Sequence, residues 1–294
     1  MSLPTFMCIG AAKSGTTTLY DILRQHPEVY LPSFKEPHFF DIPDVYAKGI
    51  HWYKETYYNS VKTEKCIGDF TPSYFYEEES ANRILQNLGK ELKFIVILRN
   101  PVDRAYSHYL HSLRDERESL IFTAAIDLEK ERLQVYNTKK DYLNNLRHSY
   151  VAQGQYGKML QSYLKHFPIE NFLFIHFEED FIRNRKQTID KVYDFLRLDT
   201  SFQFDVNIKS NPASRARSKT VKRLMQKTGW WRKALKSLLP RQSVQILKNK
   251  VQRANISSFT PEKLTTHQKK EIFNKFFAED LKILEQSINR KMNW

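Results

Sequence analysis

An α/β fold, with a central parallel sheet flanked by helices on both faces, is predicted by three features of this 294-residue chain. Short apolar runs recur at residues 6–9, 93–98 and 171–176 without polar alternation, as strands buried on both faces require. Segments with apolar residues at helical spacing separate them, and the first run is followed at once by a small-residue turn that opens a helix. No apolar run approaches 18 residues, so no membrane-spanning segment is expected. One large domain accounts for the whole of 1–294, with room for insertions.

The first strand, Phe6 to Ile9, leads into Gly10-Ala11-Ala12-Lys13-Ser14-Gly15, and Thr16-Thr17-Thr18 leads on into Leu19, Tyr20, Ile22 and Leu23. Strand, small-residue turn and helix start together hold a phosphate, because free backbone N–H groups and the helix dipole both favour an anion there. The arrangement is P-loop-like, but it departs from G-x-x-x-x-G-K-[ST]: Gly10 and Gly15 keep the spacing, Thr16 stands where the lysine should be, and the lysine comes earlier, as Lys13. A lysine placed earlier meets a shorter ligand, which points to an adenylate carrying one activated group rather than ATP. Taken alone, such a loop is also compatible with an ordinary tight turn.

The stretch Lys35-Glu36-Pro37-His38-Phe39-Phe40-Asp41 sets four ionisable residues around two aromatics. Buried charges need partners, so this is either a solvated surface turn or an active-site edge. In the second reading a carboxylate against an apolar wall works as a base.

Residues 46–58 are aromatic without a clean period and read as a loop and short helix over the site. Cys66-Ile67-Gly68-Asp69 is a short candidate strand, followed by Phe70-Thr71-Pro72-Ser73-Tyr74-Phe75. Residues 80–88 read as a helix. The strongest strand, 93–98, ends in Arg99-Asn100-Pro101, with Pro101 placed for a helix start. Arg104 reads as structural. Residues 114–150 form a charged helical insertion expected to flank the acceptor cleft, with Phe122, Ile126 and Leu133 as apolar contacts and Asp115, Glu116 and Glu118 as a solvated face. A helix from Gln155 to Phe167, the strand at 171–176 and a helix opened by Glu178-Glu179-Asp180 and closed by Val192 to Leu196 complete the pattern.

The net charge is +14, and the segment 206–261 holds no Asp or Glu at all. Such a block points to an anionic partner: nucleotide, acidic polymer or lipid surface. Within it, 206–260 reads as a lid-like segment. Val221, Leu224, Met225, Trp231, Leu235 and Leu238 recur at near-helical spacing, as a lid helix or as a peripheral membrane contact through 221–239. Residues 261–294 read as one amphipathic C-terminal helix. Cys8 and Cys66 both fall in candidate strands and read as core thiols of a reducing compartment.

The chain resembles sulfotransferases that use 3′-phosphoadenosine-5′-phosphosulfate (PAPS), in the branch that includes heparan sulfate and bacterial enzymes. Their K-x-G-T-[TR]-x-L loop is matched by Lys13-Ser14-Gly15-Thr16-Thr17-Thr18-Leu19, and their K-E-x-H-F-F-D segment by Lys35 to Asp41. The resemblance implies that Lys13, Ser14, Gly15, Thr16, Thr17 and Thr18 hold the 5′-phosphosulfate. It implies that Glu36 is the base, with His38 and Asp41 in the matching places, and that Arg99 and Ser107 hold the 3′-phosphate. A late basic loop closes over the cofactor in this family; its usual Lys-Gly-Arg core is absent here, and Arg215 or Arg217 stands in. Phe70 replaces a lysine common near the acceptor, which points to a less charged acceptor unless Phe70 is simply core. The implied reaction moves a sulfuryl group from PAPS to a hydroxyl or amine, leaving PAP (3′-phosphoadenosine-5′-phosphate). A carbohydrate acceptor is favoured, with a lipid or natural-product hydroxyl next. No metal and no nucleic-acid partner is expected.

Met1-Ser2-Leu3-Pro4 runs into the first strand without a leader pattern, so the expected location is cytoplasmic, or the chain is a shortened form of an anchored enzyme. Two other classes compete: a P-loop kinase or NTPase, for which Asp69 is the one strand-end acid on offer to hold magnesium, and a protein that binds anionic surfaces through the basic block.

Overall fold

The computed structural model describes residues 3–205, 208, 214–216, 256–258 and 262–294. Met1–Ser210 and Leu264–Trp294 form one unit, and Asn211–Lys263 a second. What is described of the second unit is an antiparallel pair, Ser214–Ala216 (β6) with Ile256–Ser258 (β7), in which Arg215 lies opposite Ser257. Arg217 and the 221–239 segment, read above as cofactor contact and lid or membrane helix, lie outside the described residues.

The larger unit is built on a five-stranded, all-parallel sheet of order β2-β3-β1-β4-β5. Its strands are Phe6–Gly10 (β1), Val29–Tyr30 (β2), Cys66–Phe70 (β3), Lys93–Leu98 (β4) and Phe172–His176 (β5). Side chains alternate across each strand, and the apolar residues of β1 and β4 divide accordingly. Met7, Ile9, Phe94, Val96 and Leu98 join one core cluster; Phe6, Cys8, Ile95 and Ile97 join another. Helices Glu78–Leu88 (α4) and Tyr156–Leu164 (α9) cover the first face, and Thr16–Leu23 (α1) and Arg185–Leu196 (α10) the second. Strands without a polar face therefore bury both sides.

Between the strands lie Pro43–Tyr46 (α2), Gly49–Tyr57 (α3), Pro101–Arg114 (α5), Phe122–Asp127 (α6), Glu129–Thr138 (α7) and Tyr142–His148 (α8). The segment expected as one C-terminal helix is two, Thr266–Phe276 (α11) and Ala278–Ile288 (α12), broken at Phe277. Phe277 is 1% exposed and packs with the α5 and α6 residues Val102, Ala105 and Phe122, so the chain turns to bury it. At Gly157, a Cβ would lie 2.5 Å from the Asp280 carbonyl oxygen and 2.8 Å from the Leu284 nitrogen, so only glycine lets α9 and α12 approach this closely.

Two further expectations change. Phe70 is core, 1% exposed, in edge contact with Phe6 and Tyr20 on the α1 face, and it does not line a cleft. Its hint of a less charged acceptor goes with it. Glu118 is not solvated: it is buried and accepts from Ser119 N–H, Leu120 N–H, Arg132 and the Tyr150 hydroxyl.

Candidate active site

β1 and β4 are neighbours at the centre of the sheet, with β3 and β2 on one side and β5 on the other. The loops leaving their C-terminal ends meet at the point where strand order reverses, the usual place for a ligand in an open α/β sheet. Lys13 and Gly15 lie on the first loop, with φ of 71° and 85°. Glycine suits the second position twice over, because a Cβ there would come within 2.9 Å of Phe177 and 3.1 Å of Phe181. The second loop is fixed by Asn100, whose side chain accepts from the N–H groups of Val102 and Asp103 and starts α5 with Pro101 in its first turn.

Arg99 joins the two loops. Its Nη1 donates to the Lys13 carbonyl at 2.9 Å, its guanidinium sits 5.1 Å from the Phe177 ring centre, and Tyr156 donates to its carbonyl at 3.0 Å. Arg99 Nε is buried without a hydrogen-bond partner, as is Ser14 Oγ. Arg99 Nε is 4.0 Å from Glu178 Oε1, beyond hydrogen-bond reach, and with Ser14 Oγ it leaves two buried donors at the loop that suit an anionic ligand. Thr16 and Thr18 are buried on the first turn of α1, Thr17 is half-buried between them, and Ser107 is half-buried on α5.

The site is more basic than its sequence motifs suggested. Burial lowers the Lys13 pKa to about 8, helped by Arg114, Arg104 and Arg99 and opposed by Glu36. Arg104, fully buried, donates to the Tyr150 carbonyl, the structural role expected of it. His108 is pushed well below the usual imidazole range by burial, and then by Arg104 and Lys13. Burial brings His111 down to about 4, again with Lys13 and Arg114 adding to it. Spacing could have found this group: Arg104, His108 and His111 fall on one face of α5.

The 35–41 segment is an edge, but not the apolar one expected. Phe39 and Phe40 are both fully buried in the core, while Glu36 stands part-exposed between Lys35, which contacts its Oε1, and His38, whose Nε2 is 3.9 Å from its Oε2. His38 Nδ1 lies 2.8 Å from Asp41 Oδ2, the fully buried carboxylate behind it. Ser73 Oγ and the Tyr142 hydroxyl also donate to that oxygen. Burial works to lower the His38 pKa, yet Asp41, Glu36 and Asp69 outweigh it and leave it raised. An imidazole held through Nδ1 presents Nε2 to Glu36. Glu36 and His38 both take left-handed backbone, φ 66° and 54°, uncommon for such residues and found where surroundings over-determine a site.

Asp69 at the end of β3 is also fully buried, and Tyr53, Thr71 and Tyr74 all donate to it. Burial raises its pKa to about 6 against those bonds. A carboxylate saturated in this way is not exposed to a metal–phosphate complex, so the kinase reading loses its magnesium acid. Among the described residues no group of three or more His, Cys, Asp and Glu could hold a metal ion. Among them, too, no helix is long and apolar enough to cross a membrane.

A family model described as "Sulfotransferase domain" matches residues 3–284. Heparan sulfate glucosamine 3-O-sulfotransferase 3B1 of Mus musculus is 33% identical over 196 residues, covering 67% of this chain and 46% of that protein. The 3A1 enzyme of Homo sapiens is 34% identical over 196 residues, 67% of this chain and 45% of that protein. The chain thus spans about half the length of these relatives. Membrane-associated sulfotransferase kil1 of Dictyostelium discoideum is 40% identical over 116 residues, 39% of this chain and 24% of that one. The crystal structure of a sulfotransferase from Alicyclobacillus acidocaldarius superposes with a TM-score of 0.69 at 27% identity, covering 99% of this chain and 98% of the other.

Proposed function

The chain belongs to the sulfotransferase domain family, and on that premise we propose that it transfers a sulfuryl group from PAPS to a hydroxyl or amine of a carbohydrate acceptor. The observation that carries the reading is the Arg99 to Lys13 carbonyl bond, which ties two phosphate-type loops together at the ends of β1 and β4. Ser14 Oγ, Arg99 Nε and the basic surroundings of Lys13 fit an anionic nucleotide.

When bound, PAPS supplies an activated sulfuryl group on its 5′-phosphate. In this reading the 13–18 loop holds the 5′ end, and Arg99 and Ser107 hold the 3′-phosphate, Arg by its fork of donors. Glu36 takes the proton of the acceptor hydroxyl or amine as that atom attacks sulfur in line. His38, held by Asp41, orients Glu36 or the acceptor. Lys13 stabilises charge on the bridging oxygen, an effect realised in the transition state. The resemblance alone makes Arg215 or Arg217 a candidate cofactor contact. The carbohydrate acceptor is supported by the heparan sulfate glucosamine after which the 3-O-sulfotransferase relatives are named.

The test is transfer of radiolabelled sulfate from PAPS to a panel of oligosaccharides, with lipid and phenolic alcohols alongside. Label on an oligosaccharide, reduced at least about 100-fold in a folded Glu36→Gln protein, supports the reading. Full turnover by Glu36→Gln removes Glu36 as the base; label on lipid alone removes the carbohydrate.

A further inference from the structure

We propose that Tyr74, anchored by Asp69, is a positioning residue for this site and holds the backbone that presents Glu36 and His38. The proposal deepens the sulfotransfer reading and takes its kinetic arm from it.

Asp69 touches neither Glu36 nor His38 through a hydrogen bond; a two-step path connects it to the segment that carries them. The Tyr74 hydroxyl donates to Asp69 Oδ2 at 3.2 Å, and the same hydroxyl accepts from the Phe39 N–H at 3.0 Å. A phenol has one proton. With that proton directed at Asp69, its lone pair faces the Phe39 amide. Phe39 follows His38 directly and lies three residues beyond Glu36, and both of those take left-handed backbone. Such a conformation is unfavourable for a residue with a side chain and persists only where neighbours impose it. The Phe39 amide bond is one such constraint, since it fixes the peptide immediately after His38.

The rest of the network makes Asp69 a rigid anchor. Tyr53, from α3, donates to the same Oδ2 at 2.6 Å, and Thr71 donates to Oδ1 at 2.6 Å. Tyr53 also stacks on Phe39, with ring centres 4.4 Å apart and planes 18° from parallel. β3, α3 and the Pro72–Phe75 turn therefore converge on the 36–41 segment from behind. The pattern also separates geometry from charge. An Asn at 69 can place its oxygen where Oδ2 accepts from Tyr53 and Tyr74, while its amide donates to the Thr71 hydroxyl. Tyr74→Phe removes the acceptor of the Phe39 amide and leaves Tyr53 and Thr71 on the carboxylate.

The experiment has one arm on the ligand-free protein and one on turnover. By NMR, Tyr74→Phe is expected to speed Phe39 amide exchange at least tenfold and to shift the His38 ring titration, while Asp69→Asn leaves Phe39 exchange near wild type and lowers the His38 titration only through the lost charge. In turnover, Tyr74→Phe is expected to lose roughly 10- to 100-fold in kcat with PAP affinity unchanged, the mark of misplacement without loss of binding. Asp69→Asn keeps kcat within a few-fold. The proposal is overturned if folded Tyr74→Phe leaves the NMR signals and kcat unchanged, or if PAP affinity falls as far as kcat. It is also overturned if Asp69→Asn loses as much as Tyr74→Phe, since charge rather than geometry would then matter. Should Tyr74→Phe not fold, Tyr53→Phe decides: the Tyr74 path predicts near-wild-type Phe39 exchange and His38 titration, and a loss of both overturns it. Wild-type enzyme that fails to transfer sulfate overturns the sulfotransfer reading alone, because the NMR arm needs no cofactor.

Discussion

The hydroxyl of Tyr142 donates to Oδ2 of Asp41 at 2.9 Å, so the helical insertion reaches the carboxylate that holds His38. Tyr142 opens α8, 101 residues away in sequence from Asp41. Tyr142→Phe removes this bond without opening a cavity, while Ser73 and His38 still serve the carboxylate. A hydrogen bond to a charged group contributes about 1.5–3 kcal/mol, but two remaining partners absorb part of the loss. We expect a fall in kcat of about 3- to 10-fold with little change in thermal stability. Steady-state kinetics beside a melting curve checks it; unchanged kcat would leave the insertion without a part in holding Asp41.

Lys13 gives a pH signature. Its folded-state pKa of about 8 lies below the ordinary lysine value of 10.5. Between those values the unfolded chain keeps a proton that the folded chain has lost, so this group's contribution to stability falls as pH drops from 10.5 through 8. The buried cation is therefore a cost near neutrality, and an anion beside it relieves that cost. PAP binding near pH 8.5 is expected to take up roughly half to three-quarters of a proton, and affinity should weaken as pH rises further. Titration calorimetry in buffers of different ionisation enthalpy measures the uptake; Lys13→Ala should abolish it, and equal uptake by that variant would contradict the assignment.

Gly15 tests the first loop. An L-residue at φ 85° costs about 1–2 kcal/mol, and here its Cβ would also press on Phe177 and Phe181. Gly15→Ala is expected to lose at least tenfold in PAP affinity and to melt several degrees lower. Wild-type affinity in this variant would show that the loop does not need its left-handed glycine.

Gly157→Ala probes the α9–α12 contact, far from the chemistry. The added methyl meets backbone atoms, which cannot rotate away, and overpacking of this kind costs about 1–3 kcal/mol. A melting point lower by about 2–10 °C is expected, with kcat unchanged in the folded enzyme. An unaltered melting point would mean that the two helices part without cost.

Much of this was legible because burial on both faces leaves a plain mark. The 93–98 run could be little other than a central strand, and Lys13, Glu36, His38 and Arg99 stood in local motifs. What stayed hidden was assembled across the chain. Nothing near Tyr142 announces Asp41, and nothing near Tyr74 announces the Phe39 amide. β2 was missed because two residues carry no period. Glu118 looked solvated because an acidic run usually is; its partners Arg132 and Tyr150 lie 14 and 32 residues away. Phe70 sat beside a motif and drew a functional reading, while its neighbours Phe6 and Tyr20 make it core.

The central claim is a nucleotide site formed by the 13–18 loop with Arg99 and Ser107, and calorimetric titration of PAP tests it most directly. Wild-type protein is expected to bind with a dissociation constant on the order of micromolar, about −8 kcal/mol. Arg99→Ala and Ser107→Ala, each shown to be folded, should weaken that binding at least tenfold. Absence of binding by the folded wild type, or undiminished binding by both variants, would contradict the account.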